Sequence, residues 1–265
     1  MRLENRVAVI VGGGQKAGET IGNGRATSLT FAREGAKLLI VDRSIESASE
    51  TVELVRAQGA QAEAFAADIT KEEDCAAFTK ACMELYGRID ILQNNVGIGT
   101  GDKGPTSLEE ETWHNIMDTN LTGMFLSCKH VLPHMREQKQ GVITNISSGA
   151  AVMSVGLLGY KVSKAGVNAL THTIAMGNAR YGIRANAVMP GLLDTPMAIE
   201  SHSSARGVDR EALRSERDKL VPLNGKMGTA WDTANASLFL ASDEAAFITG
   251  IVLPVDGGQS ARVGL

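Results

Sequence analysis

Cysteine is scarce in this chain: Cys75, Cys82 and Cys128 are the only three in 265 residues. An odd count, without C-x-x-C spacing or a nearby histidine pattern, argues against a disulfide framework and a zinc site. The three are expected to be buried thiols in a reducing compartment. An excess of basic charge is also missing. Lys and Arg number 26 against 30 Asp and Glu, for a net charge of −4 and a pI near 5.8. That balance leaves no electrostatic footprint for nucleic acid or an anionic membrane surface, so a small-molecule substrate is the expected partner. Long apolar runs are absent too. Val7–Val11, preceded by Glu4, is too short for the apolar stretch of a signal peptide, which makes the cytoplasm the default location. The segment 140–160 carries no charge, but it contains Asn145, Ser147, Ser148, Ser154 and four glycines. It reads as a buried strand followed by a site-lining loop rather than a membrane span. No internal repeat and no Pro/Gly/Ser-rich linker divides the chain, and 1–265 is expected to be a single domain.

What is present is ordinary globular material, 43% hydrophobic and 21% charged, with a regular alternation of elements. Val7–Val11, Lys37–Val41, Ile89–Leu92, Val142–Ile146, Arg184–Val188 and Ile251–Val255 read as strands, with Ala62–Ala66 a weaker candidate. Between them, Ser44–Gln58, Lys71–Tyr86, Leu108–Glu137 and Lys161–Tyr181 read as amphipathic helices. Strand–helix alternation predicts an α/β doubly wound parallel sheet of the Rossmann type, with helices on both faces. Ligands of such sheets sit beyond the carboxyl ends of the strands. Ile199 to Val221 stands apart as a charge-rich excursion bearing Arg206, Arg210, Arg214 and Arg217. It is a candidate substrate lid, spanning about 197–222, whose arginines could close on an anionic group; a solvated helix is the plain alternative.

A glycine-rich stretch, Gly12-Gly13-Gly14 through Gly22-Asn23-Gly24, follows the first strand and opens a helix. Glycines there let backbone amides approach a pyrophosphate, and the positive end of the helix favours that anion. Gly12, Gly14, Gly22, Asn23 and Gly24 are therefore candidate cofactor residues. Asp42, at the end of the second strand, can accept hydrogen bonds from a ribose diol and would repel a 2′-phosphate. That points to NAD, although Arg43 beside it softens the preference. Further on, Tyr160 and Lys164 lie four apart, on one face of a predicted helix. A phenol needs its pKa lowered by roughly 2–3 units to work near neutrality. One ammonium about 4 Å away contributes on the order of 4 kcal/mol at an effective dielectric near 20.

With these features assembled, the chain resembles the short-chain dehydrogenase/reductase family from about Leu3 to Gly258. Asp68-Ile69 looks like the pair flanking adenine, and Asn94-Asn95-Val96-Gly97 resembles the signature after the fourth strand, with Asn95 and Gly97 as cofactor contacts. Tyr160 and Lys164 fall on the Tyr-x-x-x-Lys motif, and Asn120 resembles the catalytic asparagine. Pro190, Leu193 and Thr195 fall on the turn that contacts nicotinamide, and Val255-Asp256-Gly257-Gly258 on the usual ending. Two departures stand out. Gly12 and Gly22 enclose nine residues where this type of member commonly has three, an insertion of about six, so the phosphate-binding amides stay open. Ser147 lies at the common spacing of thirteen before Tyr160, whereas the strand motif Asn145-Ile146-Ser147-Ser148 selects Ser148; strand register is harder to shift than loop length, which favours Ser148.

The resemblance implies that Tyr160 exchanges a proton with the substrate hydroxyl. Lys164 would stabilise the phenolate and bind the nicotinamide ribose, the serine would orient the reacting oxygen, and Asn120 would hold a water. Ser148, Tyr160, Met153 and Met197 are the candidate substrate contacts, in an apolar pocket suited to a cyclic or aromatic alcohol. No metal is expected. The implied activity is hydride transfer between NAD and a secondary alcohol or ketone. An NADP-dependent carbonyl reductase and a non-catalytic dinucleotide sensor are the alternatives, and the family resemblance suggests a homotetramer.

Overall fold

The computed structural model describes residues 1–262. In chain order the elements are β1 (Val7–Val11), α1 (Asn23–Arg33), β2 (Lys37–Asp42), α2 (Ile45–Ala57), β3 (Ala62–Ala66), α3 (Glu72–Tyr86) and β4 (Ile91–Asn94). There follow α4 (Glu110–Met117), a π-helical stretch (Asp118–Thr122), α5 (Gly123–Gln138), β5 (Gly141–Ile146), α6 (Leu158–Asn178) and β6 (Ile183–Pro190). The chain continues through β7 (Leu193–Asp194), α7 (Pro196–Arg206), α8 (Arg210–Asp218), β8 (Gly228–Thr229), α9 (Ala230–Ala241) and β9 (Val252–Val255). Seven strands form one sheet in the order β3-β2-β1-β4-β5-β6-β9, every pair parallel. The order reverses between β1 and β4, which opens a crevice at their carboxyl ends.

Side-chain alternation along the strands explains the layering. Val7, Val9 and Val11 of β1 join Leu39, Val41, Phe78, Leu92, Val131 and Ile143 on one face. Ala8 and Ile10 join Phe31, Leu38, Ile40, Val52 and Leu238 on the other. Successive side chains of a strand point to opposite faces, so the unbroken apolar run of β1 serves both cores at once. β3, at the sheet edge, is mostly half-exposed, which is why its pattern is weaker.

Most boundaries differ from the sequence reading by a residue or two, and three of the differences have a clear physical cause or consequence. β4 begins at Ile91 rather than Ile89, because Asp90 turns inward to accept the amide of Val7 at 2.9 Å and pairs with Arg88 at 2.6 Å. The helix expected over Leu108–Glu137 is broken into α4 and α5 by the π-helical stretch that contains Asn120. α6 starts at Leu158, three residues earlier than read, and this places Tyr160 in its first turn. The uncharged 140–160 stretch forms β5, a loop with one short 3-10 turn, and the first three residues of α6. No described helix is long and apolar enough to cross a membrane.

Candidate active site

The glycine-rich turn is fixed by backbone packing. Gly12 has φ +72, a left-handed conformation that favours glycine, and its carbonyl oxygen lies only 1.8 Å from where a Cβ on Gly24 would sit. The amides of Gly12 and Gly13 donate to Val41 O at 2.8 and 3.1 Å. Gly14 N donates to Asp42 Oδ2 at 3.0 Å, and Gly22 N to Gln15 Oε1 at 2.9 Å. α1 has no side-chain cap, and the amides of Asn23 and Gly24 at its start have no acceptor among the described residues. These free N–H groups, at the positive end of a helix, form an anion-binding position. Asn23 Oδ1 is buried without a partner. A phosphate on the amides and a hydroxyl donor on Asn23 would satisfy both, so the turn fits a dinucleotide.

The inserted residues fold back on themselves and dock. Gln15 Nε2 donates to Thr20 O at 3.2 Å, and Ser47 Oγ accepts from Gln15 N at 2.6 Å while donating to Gln15 O at 2.9 Å. Lys16 donates to Ser201 on α7 at 2.9 Å. Glu19 meets Arg210 at 2.8 Å and Arg214 at 3.1 Å, and these two arginines also pair with Glu200 at 2.7 Å and Asp194 at 3.1 Å. Arg206 pairs with Glu216 at 3.0 Å. The sequence reading has the arginines of the 199–221 excursion as able to close on an anionic group. Arg206, Arg210 and Arg214 instead neutralise the protein's own carboxylates. Arg217 has its Nε buried without a hydrogen-bond partner.

A cavity of ≈ 530 Å³ opens beside the turn. It brings together Gly12, Gly14, Gly22, Asn23, Gly24, Asp42, Asp68, Ile69, Asn95, Gly97, Thr195 and Met197 from the sequence reading. Lys16, Val96 and Ile98 line it as well, and so do Gln15, Thr100, Asn115 and Thr119, which the sequence does not single out, since a pocket wall leaves no local pattern in the chain. Pro190, Leu193, Tyr160 and Lys164 do not line it; the Leu193 side chain is buried against Gly228. Asp42 holds the turn with one oxygen and accepts Ser44 N at 3.1 Å with the other. Each carboxylate oxygen retains a second acceptor site.

Tyr160, Ser148, Lys164 and Asn120 gather at the carboxyl ends of β4 and β5. Ser147 faces inward, its Oγ donating to Lys164 O at 3.2 Å. Ser148 is extended, φ −162, and its hydroxyl faces the Tyr160 phenol. Burial pushes that phenol above its ordinary pKa, with the Ser148 hydroxyl bond acting in the opposite direction. Lys164 is 1% exposed. Its Nζ donates to Ile146 O at 2.8 Å and Val96 O at 3.2 Å, and burial draws its pKa down to about 7. The expectation that Lys164 lowers the phenol is therefore not met here. Its Nζ is turned to two carbonyls, 5.8 Å from the ring centroid, and burial weakens its hold on the proton. Asn120 accepts Ile98 N at 2.7 Å and donates to Ile98 O at 2.9 Å and to Ser163 Oγ at 3.0 Å. Met153 packs on Gly149 in the loop after Ser148.

A family model described as enoyl-(acyl carrier protein) reductase matches residues 17–260. Levodione reductase of Leifsonia aquatica is 38% identical over 266 residues, covering 98% of this chain and 96% of its own. A 7alpha-hydroxysteroid dehydrogenase of Clostridium sardiniense is 36% identical over 261 residues, covering 97% and 94%. The crystal structure of a Burkholderia xenovorans chain assigned to the short-chain dehydrogenases/reductases superposes with a TM-score of 0.93, at 41% identity and 99% coverage of each chain. By sequence along nearly its whole length and by architecture, the chain belongs to the short-chain dehydrogenase/reductase family, oxidoreductases of alcohols and ketones that bind NAD or NADP.

Proposed function

We propose that this chain is an NAD-dependent dehydrogenase of a secondary alcohol, working in reverse on the matching ketone. The observation that carries the reading is the convergence of Ser148, Tyr160 and Lys164 beside a cavity whose turn fits a dinucleotide. When bound, the nicotinamide takes or supplies the hydride at the carbinol carbon. Tyr160 takes the hydroxyl proton in oxidation and returns it in reduction. Ser148 donates to the reacting oxygen and steadies its developing charge. Protonated Lys164 spends two of its three N–H donors on Ile146 O and Val96 O, leaving one for a ribose hydroxyl. Asn120 positions the loop after β4 against α6 through Ile98 and Ser163.

Asp42 supports NAD over NADP, since a 2′-phosphate would meet its carboxylate. Arg43 also lines the cavity, which is the one observation favouring an NADP-dependent carbonyl reductase. Paired kinetics with both cofactors separate the two. For Asp42→Ala we expect NAD affinity to fall roughly 10- to 100-fold, the loss of a hydrogen bond to a charged group, with NADP unchanged or improved. An equal loss for both cofactors would confine Asp42 to holding Gly14.

A ring-bearing substrate fits the apolar residues near the site, where Val152 is 58% and Met197 39% exposed, and one relative is named for a hydroxysteroid. We extend the reading to a homotetramer on the exposed apolar side chains of Phe125, Met176 and Phe247; light scattering that gives a monomer would remove it. All three cysteines are free and buried, and burial pushes Cys82 and Cys128 up to about 12. Inert thiols of this kind support a reducing, cytoplasmic setting.

A further inference from the structure

Helix α6 carries Tyr160 and Lys164, yet it begins with no cap of its own. The residue before it, Leu157, offers no side-chain acceptor, and the first amides of a helix require partners from outside the helix. Those partners come from the loop after β4. Leu158 N donates to Lys103 O at 3.1 Å. Gly159 N donates to Asp102 Oδ1 at 3.0 Å, and Tyr160 N to Asp102 Oδ2 at 2.7 Å. One carboxylate thus grips two successive amides, one of them the amide of Tyr160, from more than fifty positions away in the chain.

The same loop touches the rest of the site. Val96 O accepts Lys164 Nζ, Ile98 exchanges two bonds with Asn120, and a Cβ on Gly99 would lie 3.4 Å from the Tyr160 ring. Asp102 is tied into it through Asp102 N donating to Gly99 O at 3.2 Å and Lys103 N donating to Asp102 Oδ1 at 2.8 Å. Two bonds to consecutive amides fix both the position of the first turn and its rotation about the helix axis. A single bond would leave the rotation free. Tyr160 is the third residue of that turn, so its phenol moves with it.

We propose that Asp102 is a positioning residue for proton transfer: by clamping the amides of Gly159 and Tyr160 it sets the phenol against Ser148 and Lys164. This rests on the reading of Tyr160 as the proton carrier. Asp102 touches no reacting atom, and its effect runs through the backbone of α6.

The test compares the wild type with Asp102→Ala and Asp102→Asn. Asn retains one acceptor oxygen and leaves the second amide without its partner. Three quantities are measured: kcat at saturating cofactor and alcohol, the dissociation constant of the reduced cofactor by fluorescence, and 19F NMR spectra of protein labelled with 3-fluorotyrosine. The chain has three tyrosines, Tyr86, Tyr160 and Tyr181, so two serve as internal references and Tyr160→Phe assigns the third. We expect kcat to fall roughly 10- to 100-fold in Asp102→Ala, the cost of misplacing a catalytic group by about 1 Å, and less in Asp102→Asn. Cofactor affinity should stay within about threefold of wild type, and only the Tyr160 resonance should shift or broaden. Unchanged kcat with an unmoved Tyr160 resonance overturns the proposal. So does a fall in cofactor affinity matching that in kcat, since that marks general loosening of the loop; where Asp102→Ala does not fold, Asp102→Asn decides. An inactive wild type would instead remove the parent reading, while the 19F comparison would still report whether Asp102 sets the phenol.

Discussion

The Tyr160→Phe protein is expected to fold, to bind cofactor as the wild type does, and to lose turnover by roughly 10²- to 10⁴-fold, the usual worth of a positioned acid–base group. The substitution removes one oxygen and keeps the ring, so the packing against Gly99 and the 5.8 Å approach of Lys164 Nζ to the ring are retained. Ser148 remains to polarise the substrate oxygen but has no group to pass the proton to. The pH dependence has a definite sign. Burial holds the Tyr160 phenol above its ordinary value, so near neutrality the protonated form dominates. Oxidation needs the phenolate, and below the phenol's pKa its rate should climb about tenfold per pH unit. Reduction needs the phenol and should fall only as pH rises through that pKa. In Tyr160→Phe this dependence on the phenol should vanish. Near-wild-type turnover with an unchanged profile would remove Tyr160 from the chemistry.

The second large effect is expected at Gly24. A Cβ there would sit 1.8 Å from Gly12 O and 2.8 Å from Gly12 C, so nothing flexible can yield. Gly12 is itself held by its amide bond to Val41 O at 2.8 Å and by its φ of +72. Gly24→Ala should therefore displace the start of α1, cost about 1–3 kcal/mol or more by overpacking, and remove the amides that face the cofactor. Binding of either NAD or NADP should become too weak to measure by fluorescence titration. Gly22→Ala is the control: the nearest atom to its added Cβ is the Gln15 side chain at 3.8 Å, and binding should stay within a few-fold of wild type. Equal behaviour of the two variants would contradict the packing account.

The contrast between Gly22 and Gly24 also marks what the sequence can tell. Both belong to one glycine-rich stretch, and the pattern weights them alike; only the approach of two backbones separates them. Alternation of apolar runs with amphipathic stretches is enough to read the parallel sheet, because its seven strands are joined one to the next by helical segments long enough to cover it. The site was legible where residues lie close along the chain, as with Tyr160 and Lys164 on one helix face, or Ser148 two residues beyond a buried strand. It was illegible where the partner lies far away. Nothing near Asp102 suggests that it caps a helix beginning at Leu158. Nothing near Arg210 or Arg214 tells that Glu19, in an inserted loop almost two hundred residues earlier, neutralises them. The break in the expected 108–137 helix escaped for another reason. Asn120 is compatible with a helix interior, and the π-helical turn is held by its bonds to Ile98 and Ser163, which are tertiary.

In the proposed reaction Tyr160 relays the proton while hydride leaves the carbinol carbon for the cofactor. Its most direct test uses cyclic and aromatic secondary alcohols deuterated at that carbon, incubated with NAD and either the wild type or Tyr160→Phe, with the reduced cofactor analysed by mass spectrometry. The account predicts one deuterium per reduced cofactor with the wild type on at least one alcohol, and almost no reduced cofactor with Tyr160→Phe. Reduced cofactor without the label, or equal labelled product from both proteins, would contradict it.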